Sequence, residues 1–128
     1  MSRHVYLCPL RWSDMDADGH VHNSVHLRYL EETRIDLFRT REFFGSGVVA
    51  QMDIDYLAPL RYRAARPVRV ETWVTKVGTS SYSLAHEVLD EDAVYTRAEC
   101  TMVAFDPAAQ RSRKLNERER AMLEEMRY

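Results

Sequence analysis

Apolar and polar residues alternate with a period of two in four segments of the chain, which predicts four β-strands that each have one dry face. The first segment, VVAQMDIDY at residues 48–56, is apolar at its even positions and mostly polar at its odd ones. The same alternation recurs at residues 68–74, 82–88 and 94–104. Because the turns between the later segments are short, we expect these strands to pair in antiparallel fashion.

Between about Ser24 and about Arg41 the apolar side chains recur at helical spacing instead. Leu27, Leu30 and Leu37 fall close to one face, and charged residues occupy most of the remaining surface. One long amphipathic helix is therefore predicted, and Gly45 and Gly47 are predicted to end it.

The remaining segments complete an α+β pattern. Residues 3–12 contain β-branched and aromatic side chains together with Pro9, which favours an edge strand. A capping box that begins at Asn116 predicts a short C-terminal helix through Met126. No linker or repeat divides residues 1–128, so we expect a single domain in which the long helix covers the apolar face of the sheet.

Composition and charge exclude several classes of function. Of the 128 residues 45% are hydrophobic and 30% charged, and no apolar run reaches the roughly 18 residues of a membrane span. A formal net charge of −2 gives no net attraction to nucleic acid. The N-terminal segment lacks the apolar core of a signal peptide, and Cys8 and Cys100 are the only cysteines, so a cytoplasmic protein is expected.

The segment SDMDADGHVHN, between the first strand and the helix, gathers three carboxylates and two histidines around one glycine. Calcium is the first interpretation, since Asp14, Asp16, Asp18 and Gly19 match positions 1, 3, 5 and 6 of an EF-hand loop. Position 12 of such a loop requires a bidentate carboxylate, and Val25 stands there. The preceding segment is also strand-like rather than helical, so calcium is disfavoured.

Zinc is the second interpretation, because His20, His22 and His26 are close in sequence and imidazole is a common zinc ligand. No cysteine or acidic residue accompanies these histidines in a recognised pattern. We therefore expect no metal cofactor.

The third interpretation places a reactive carboxylate beside the start of the helix. Asn23 is predicted to be the N-cap, and the free N–H groups beyond it would bind an anion or a developing oxyanion. A carboxylate a few residues upstream could attack a carbonyl carbon or activate a water molecule. This geometry is suited to acyl transfer.

The stretch RWSDMDADGHVHNSVHLRYLEETR resembles the signature of the 4-hydroxybenzoyl-CoA thioesterase family of hotdog-fold proteins. Three elements carry the resemblance: Asp14-x-Asp16; Gly19-His20-Val21-His22-Asn23; and Tyr29 with Leu30, Glu31, Glu32 and Arg34. The similarity continues through Asp55-Tyr56, Pro59 and the turn at 78–81. It implies a hotdog fold, in which an antiparallel five-stranded sheet wraps around one long helix.

The resemblance also implies roles for individual residues. Asp16 would be the catalytic carboxylate, acting as nucleophile or general base, and N–H groups around Asn23 would polarise the thioester carbonyl. Gly19 would supply a positive φ or a close approach to the substrate, and His20 would orient the loop or contact the substrate. The other two aspartates, Asp14 and Asp18, are expected to shape and solvate the loop.

The implied substrate is an acyl group on coenzyme A or on a carrier protein, hydrolysed without a metal or organic cofactor. Arg61 and Arg63 are candidates to contact the phosphates of coenzyme A. In one family branch a basic turn contacts the nucleotide of coenzyme A. This chain carries Ser80 and Ser81 at that turn, so they are candidates to bind the substrate through hydroxyl groups instead of positive charges. Homodimers with joined sheets, or homotetramers, are expected. The alternative is a non-catalytic protein that binds acyl or coenzyme A ligands or serves as an assembly subunit.

Overall fold

The computed structural model describes residues 3–43 and 47–128 and confirms the α+β architecture. The strands are β1 (His4–Cys8), β2 (Gly47–Tyr56), β3 (Val68–Val77), β4 (Ser81–Leu89), β5 (Val94–Asp106) and β6 (Arg111–Ser112). The helices are α1 (Asn23–Thr40) and α2 (Glu117–Glu125). The five predicted strands are therefore present, and the two-residue β6 adds a sixth that pairs with the end of β5. Within the described ranges, no helix is both long and apolar enough to cross a membrane.

Two boundaries differ from the sequence expectation near the first strand and the helix. Strand β1 ends at Cys8 because Pro9 has no N–H to donate to the sheet, and Trp12–Asp14 form a turn of 3-10 helix instead. Helix α1 ends at Thr40, whereas Gly45, which was predicted to end it, lies outside the described residues.

The strand order explains the path of the long helix. All neighbours in the order β1-β3-β4-β5-β2 are antiparallel, so β1 and β2 lie at opposite edges of the sheet. Because α1 connects these two edges along the chain, it must cross a face of the sheet. Its inward side chains Leu30 and Leu37 are fully buried there. Burial of one such leucine stabilises the fold by about 1.5–3 kcal/mol, so packing positions the helix more firmly than its intrinsic propensity does.

The C-terminal helix closes the other end of the core. Its predicted capping box is confirmed: Asn116 Oδ1 accepts the N–H of Glu119 at 2.8 Å, and Glu119 Oε1 accepts the N–H of Asn116 at 2.9 Å. The carbonyl of Met126, just beyond α2, accepts the N–H of Val74 on β3 at 3.0 Å. Leu123 and Met126 are fully buried against this end of the sheet.

Strand β2 is the exception to the predicted pattern of one dry face. It pairs only with β5, and along its length only Met52 and Ile54 are even partly buried. Val48 and Val49 are 44% and 45% exposed. In the single chain, β2 is therefore a long open edge with apolar side chains.

Candidate active site

The loop that follows β1 is closed by hydrogen bonds between its own backbone groups. The N–H of Asp16 donates to the carbonyl of His20 at 2.7 Å, and the N–H of Gly19 donates to the carbonyl of Asp16 at 3.2 Å. Gly19 has a φ of 77°, which confirms that glycine is used here for a left-handed backbone. No atom lies within 4 Å of the position that a Cβ would occupy, so close approach by the chain itself is not the reason for glycine.

The carboxylate of Asp16 is held by one oxygen and open at the other. Oδ1 accepts the N–H of Asp18 at 2.8 Å and the N–H of His20 at 3.1 Å. Within residues 3–43 and 47–128, Oδ2 has no hydrogen-bond partner. The bonds from His20 and Asp18 lower the pKa of Asp16 below its ordinary value of 3.8. Asp16 is therefore ionised at neutral pH, with one oxygen atom available to a substrate.

A cleft of about 500 Å³ opens beside this carboxylate. Its walls are the loop, the first turn of α1, the end of β2 and residues 57–60. Six of the residues that the sequence analysis considered as ligands or catalytic groups line this cleft: Asp16, Asp18, His20, His22, Asn23 and His26. The tertiary structure thus brings the loop carboxylate and the helix start to the same cavity.

The start of α1 differs from the prediction by one residue. The N-cap is His22, whose ring Nδ1 accepts the N–H of Ser24 at 3.1 Å, and Asn23 is the first helical residue. The prediction that Asn23 is the N-cap is wrong, because Asn23 is already helical and His22, immediately before it, supplies the capping acceptor. Ser24 Oγ, 2.8 Å from that Nδ1, holds the ring in place.

This shift changes which backbone N–H groups are available to an anion. The N–H of Ser24 is taken by His22 and by Asn23 Oδ1 at 3.0 Å, and the N–H of Val25 donates to the carbonyl of His22 at 2.9 Å. In the part of the chain that the structure describes, the N–H of Asn23 has no acceptor. The free donor at the positive end of α1 is therefore that of Asn23 itself, and not those beyond it.

Asp14 is an internal anchor rather than the solvated loop residue that was expected. Only 2% of its surface is exposed. Its carboxylate accepts hydrogen bonds from Tyr29 Oη at 2.6 Å, Arg28 Nη2 at 2.7 Å and the N–H of Arg11 at 3.0 Å. Burial raises the pKa of Asp14, but the bonds from Tyr29, Arg28 and Arg11 together lower it more, and the pKa ends below 3.8. Asp14 thus connects the loop to α1 and fixes the backbone from which the side chain of Asp16 extends.

His26 also lines the cleft, and the sequence analysis assigned it no catalytic role. It lies one turn into α1, is 3% exposed, and places Nδ1 2.6 Å from the hydroxyl of Thr96 on β5. The Tyr56 ring meets it at 86° with 5.3 Å between centroids, and Tyr56 Oη donates to the carbonyl of Asn23 at 2.8 Å. Burial lowers the pKa of His26 to about 4, so the ring is neutral at pH 7. Its partners are distant in sequence, which is why no local pattern identified it.

The two candidate arginines have different surroundings. Arg61 is exposed and directly follows Leu60, which lines the cleft. Its backbone bridges to His20, and it forms no ion pair with any described residue. Arg63 forms a salt bridge with Asp90 and lines a separate groove beside Pro9. Burial raises the pKa of Asp90, but hydrogen bonds from Arg63 and Tyr95 lower it by more, so the pKa ends at about 2. The charge of Arg63 is thus already compensated by Asp90, and Arg61 is the better candidate of the two to contact a phosphate.

Ser80 and Ser81 lie at the opposite end of the sheet from the cleft. Ser81 pairs with Val103 of β5, whereas Tyr56, which lines the cleft, pairs with Thr96. Seven residues of extended β5 separate the two points, or roughly 23 Å at about 3.3 Å per residue. Within one chain, these serines are therefore not brought to the candidate site.

The histidines of the loop do not converge on a common point suited to a metal ion. Among residues 3–43 and 47–128, no group of three or more histidine, cysteine or acidic side chains could hold one. Ring atoms of His22 and His26 are instead bonded to Ser24 and Thr96.

Comparisons with known proteins point in one direction. A family model described as the thioesterase-like superfamily matches residues 10–124. No curated protein matches the chain. A thioesterase candidate from Pseudomonas aeruginosa is 34% identical to this chain, and the match covers 94% of this chain and 98% of that one with a TM-score of 0.85.

Two further solved structures are similar over nearly the whole chain. A thioesterase from Thermus thermophilus, solved with coenzyme A and zinc, is 28% identical, with 95% of this chain and 92% of that chain covered and a TM-score of 0.82. A Bacillus stearothermophilus protein assigned as a thioesterase has a TM-score of 0.88 at 22% identity, covers 99% of this chain and 98% of its own, and shows the shared fold.

Proposed function

This chain belongs to the thioesterase-like superfamily, and on that premise we propose that it hydrolyses an acyl thioester of coenzyme A, or of a carrier protein, in the cleft beside Asp16. One observation carries the proposal. The free Oδ2 of Asp16 and the free N–H of Asn23 belong to residues that line the same cleft. A nucleophile and an oxyanion donor are the two groups that acyl transfer requires.

Asp16 acts as the nucleophile in this proposal. A general base is most effective when its pKa is near the working pH, and the pKa of Asp16 is lowered below 3.8. Its ionised Oδ2 attacks the thioester carbonyl, the carbon–sulfur bond breaks, and the thiolate leaves and takes a proton from water. Water then hydrolyses the resulting anhydride, which releases the free acid and restores the Asp16 carboxylate.

The N–H of Asn23 stabilises the oxyanion that forms in each of these steps. The aligned peptide dipoles of a helix place roughly half a positive charge at its N-terminus, and α1 has 18 residues. A donor fixed before the reaction needs no reorganisation when the charge develops, which is what makes it effective.

Arg61 is the proposed contact for a phosphate group of coenzyme A. It is exposed, it follows the cleft residue Leu60, and it has no carboxylate partner among the described residues, so its guanidinium is available to an anion. The coenzyme A complex of the Thermus thermophilus thioesterase, which is 28% identical, supports this class of substrate.

A second copy of the chain is proposed to cover the open edge of β2. Besides the exposed valines of that strand, a groove between α1 and β2 is lined by Leu27, Arg34 and Val49. Arg34 is 7% exposed, and its Nη1 is buried without a partner in the described ranges. An unpaired buried donor costs about 1–3 kcal/mol, so an acceptor from a second chain would stabilise the assembly. A homodimer with joined sheets, or a homotetramer, follows.

The test measures hydrolysis of a panel of acyl-coenzyme A and acyl-carrier-protein thioesters that differ in chain length. Release of the free thiol monitors the reaction. Asp16→Asn keeps the size of the side chain and removes the anionic nucleophile, so kcat is expected to fall at least about 1,000-fold. Asp18→Asn is the matched control, because Asp18 lies on the same loop and its carboxylate accepts no hydrogen bond from the described residues. It is expected to retain activity within about threefold.

Two outcomes would count against the proposal. Unchanged hydrolysis by Asp16→Asn would remove Asp16 from the mechanism while leaving the chain a thioesterase. No hydrolysis of any thioester in the panel by the wild-type protein, together with tight binding of coenzyme A, would identify a binding protein instead.

A further inference from the structure

The mechanism above gives no role to the imidazole of His26, which is a polar group of the cleft. This side chain lines the cleft together with Asp16 and Asn23, yet only 3% of its surface is exposed. Burial of a polar ring lowers stability unless its nitrogen atoms are satisfied, so the partners of both nitrogens have to be accounted for.

The hydroxyl of Thr96 decides which nitrogen of the ring carries the proton. Thr96 is fully buried, and its Oγ1 lies 2.6 Å from His26 Nδ1. The hydroxyl has no other hydrogen-bond acceptor among the described residues, so its proton is satisfied only if it points to Nδ1. A distance of 2.6 Å is also shorter than the usual 2.9–3.0 Å of an N–H···O bond and closer to that of an O–H donor. Nδ1 is therefore the acceptor, and Nε2 carries the hydrogen.

The Nε2–H group is left as a donor at the cleft. Nε2 has no hydrogen-bond partner within the described ranges, and it is not one of their fully buried, unsatisfied side-chain atoms. It therefore reaches the solvent-accessible space of the cleft that His26 lines.

The orientation of this donor is fixed before any substrate arrives. The edge-to-face contact with Tyr56 holds one side of the ring, and Thr96 holds Nδ1. The hydroxyl of Tyr56 is in turn bonded to the carbonyl of Asn23, which couples the ring to the start of α1. His26 lies three residues after Asn23 on the helix, so its ring and the N–H of Asn23 both belong to the first turn.

We propose that His26 is a second catalytic hydrogen-bond donor, whose Nε2–H binds the thioester carbonyl oxygen together with the N–H of Asn23. This inference rests on the proposed thioester hydrolysis and adds a specific group to it. The ring donates a hydrogen bond and transfers no proton, so it is neutral before and after each turnover. The pKa of about 4 that burial imposes on the ring keeps it in this neutral form at working pH.

The first test separates binding from catalysis. His26→Phe keeps a ring against Tyr56 and removes the donor, and His26→Gln replaces the imidazole with an amide that can still donate. Removal of one oxyanion donor costs about 100- to 1,000-fold in kcat. We expect His26→Phe to lower kcat by about 100-fold with KM changed by less than about threefold, and His26→Gln to recover at least about tenfold of that loss.

A second measurement reads the tautomer without any reference to activity. In wild-type protein labelled with 15N at histidine, the ring of His26 is expected to show a protonated Nε2 and an unprotonated Nδ1 at neutral pH. Thr96→Val removes the hydroxyl that selects this form, so the two nitrogens should then exchange roles in part, and kcat should fall by less than in His26→Phe.

The results that would overturn the inference are distinct from those that would overturn the proposed function. A wild-type ring protonated at Nδ1, or a His26→Phe variant that folds and keeps kcat within about threefold of wild type, contradicts the role of His26 alone. In that case Asp16→Asn would still abolish activity. Absence of any thioester hydrolysis by the wild-type protein would contradict both proposals. Should His26→Phe not fold, the labelled wild type and His26→Gln still decide the question.

Discussion

At the scale of single residues, two aspartates of one motif have opposite environments. Asp14 is buried and accepts three hydrogen bonds from the protein, so its carboxylate is not accessible to a substrate. Asp16, two residues later, keeps one carboxylate oxygen free beside the cleft. The Asp-x-Asp spacing therefore pairs an anchor with the carboxylate that is proposed to react. The anchor matters for that proposal because displacement of a nucleophile by about 1 Å can cost about 100-fold in rate.

A second buried histidine, outside the site, links stability to pH. His86 on β4 is 1% exposed, with Nδ1 2.7 Å from Thr72 Oγ1 on β3 and Nε2 3.8 Å from Cys100 Sγ on β5. Burial, and secondarily the positive charge of Arg34 on α1, lower the pKa of His86 to about 3. An unfolded histidine takes up its proton near pH 6.5, so between these two values the unfolded state binds more protons.

Stability is therefore expected to fall as the pH is lowered through this window. From pH 7 to pH 4.5, His86 alone should reduce the free energy of unfolding by about 2–3 kcal/mol. His86→Gln retains hydrogen-bonding groups but cannot titrate, so its free energy of unfolding should depend less steeply on pH. Urea denaturation of both proteins at pH 7, 5.5 and 4.5 measures the difference. Identical pH slopes for the two proteins would show that His86 does not contribute.

At the scale of elements, the first turn of α1 supplies most of the site. His22 caps the helix, the N–H of Asn23 is free, and His26 lies one turn further along. The buried leucines of the same helix hold it across the sheet, so these groups are positioned by one packed element. A site built on a packed helix is more precisely positioned than one built on a loop alone.

The cap of this helix is open to direct measurement. His22→Ala removes the ring nitrogen that accepts the N–H of Ser24, and lost caps typically cost about 0.5–2 kcal/mol. We expect a value in the lower half of that range, because Asn23 Oδ1 also accepts this N–H. His22→Ser supplies a standard cap oxygen and should recover most of the loss in urea denaturation. Equal destabilisation by alanine and serine would show that the ring acts through some other contact.

At the scale of the whole molecule, the two edges of the sheet are not equivalent. Both are lined by exposed apolar side chains, since Val5 on β1 is 49% exposed and Val49 on β2 is 45% exposed. Strand β2 has ten residues and borders a groove with the buried, unpaired Nη1 of Arg34, whereas β1 has only five residues. Long open edges are the ones that a second chain can extend.

The two valines form a matched pair for testing the proposed dimer. Val49→Asp places a charge at the β2 edge and is expected to weaken self-association at least tenfold, as measured by sedimentation equilibrium. Val5→Asp makes the same change at a similarly exposed position on β1 and should leave the association constant unchanged. A monomeric wild-type protein, or equal effects of the two substitutions, would contradict the proposed use of β2.

Local pattern was sufficient for much of the fold and for part of the site. Alternation located the strands, helical spacing located α1 to within one residue at each end, and the motif identified Asp16 and the positive φ of Gly19. These features depend on neighbours in the chain, since strand and helix periods, turn preferences and capping boxes all act over a few residues.

Only the tertiary structure decided which of these groups meet. Thr96 lies 70 residues from His26 along the chain, yet it selects the tautomer of that ring. Asp90 lies 27 residues from Arg63 along the chain and compensates its charge. The strand pairing leaves Ser80 and Ser81 far from the cleft. The sequence by itself determined the elements and the loop that carries the proposed catalytic carboxylate, because those arise from short-range preferences. Burial, pairing and the free donors were decided by the fold, because they depend on contacts between segments that no local period connects.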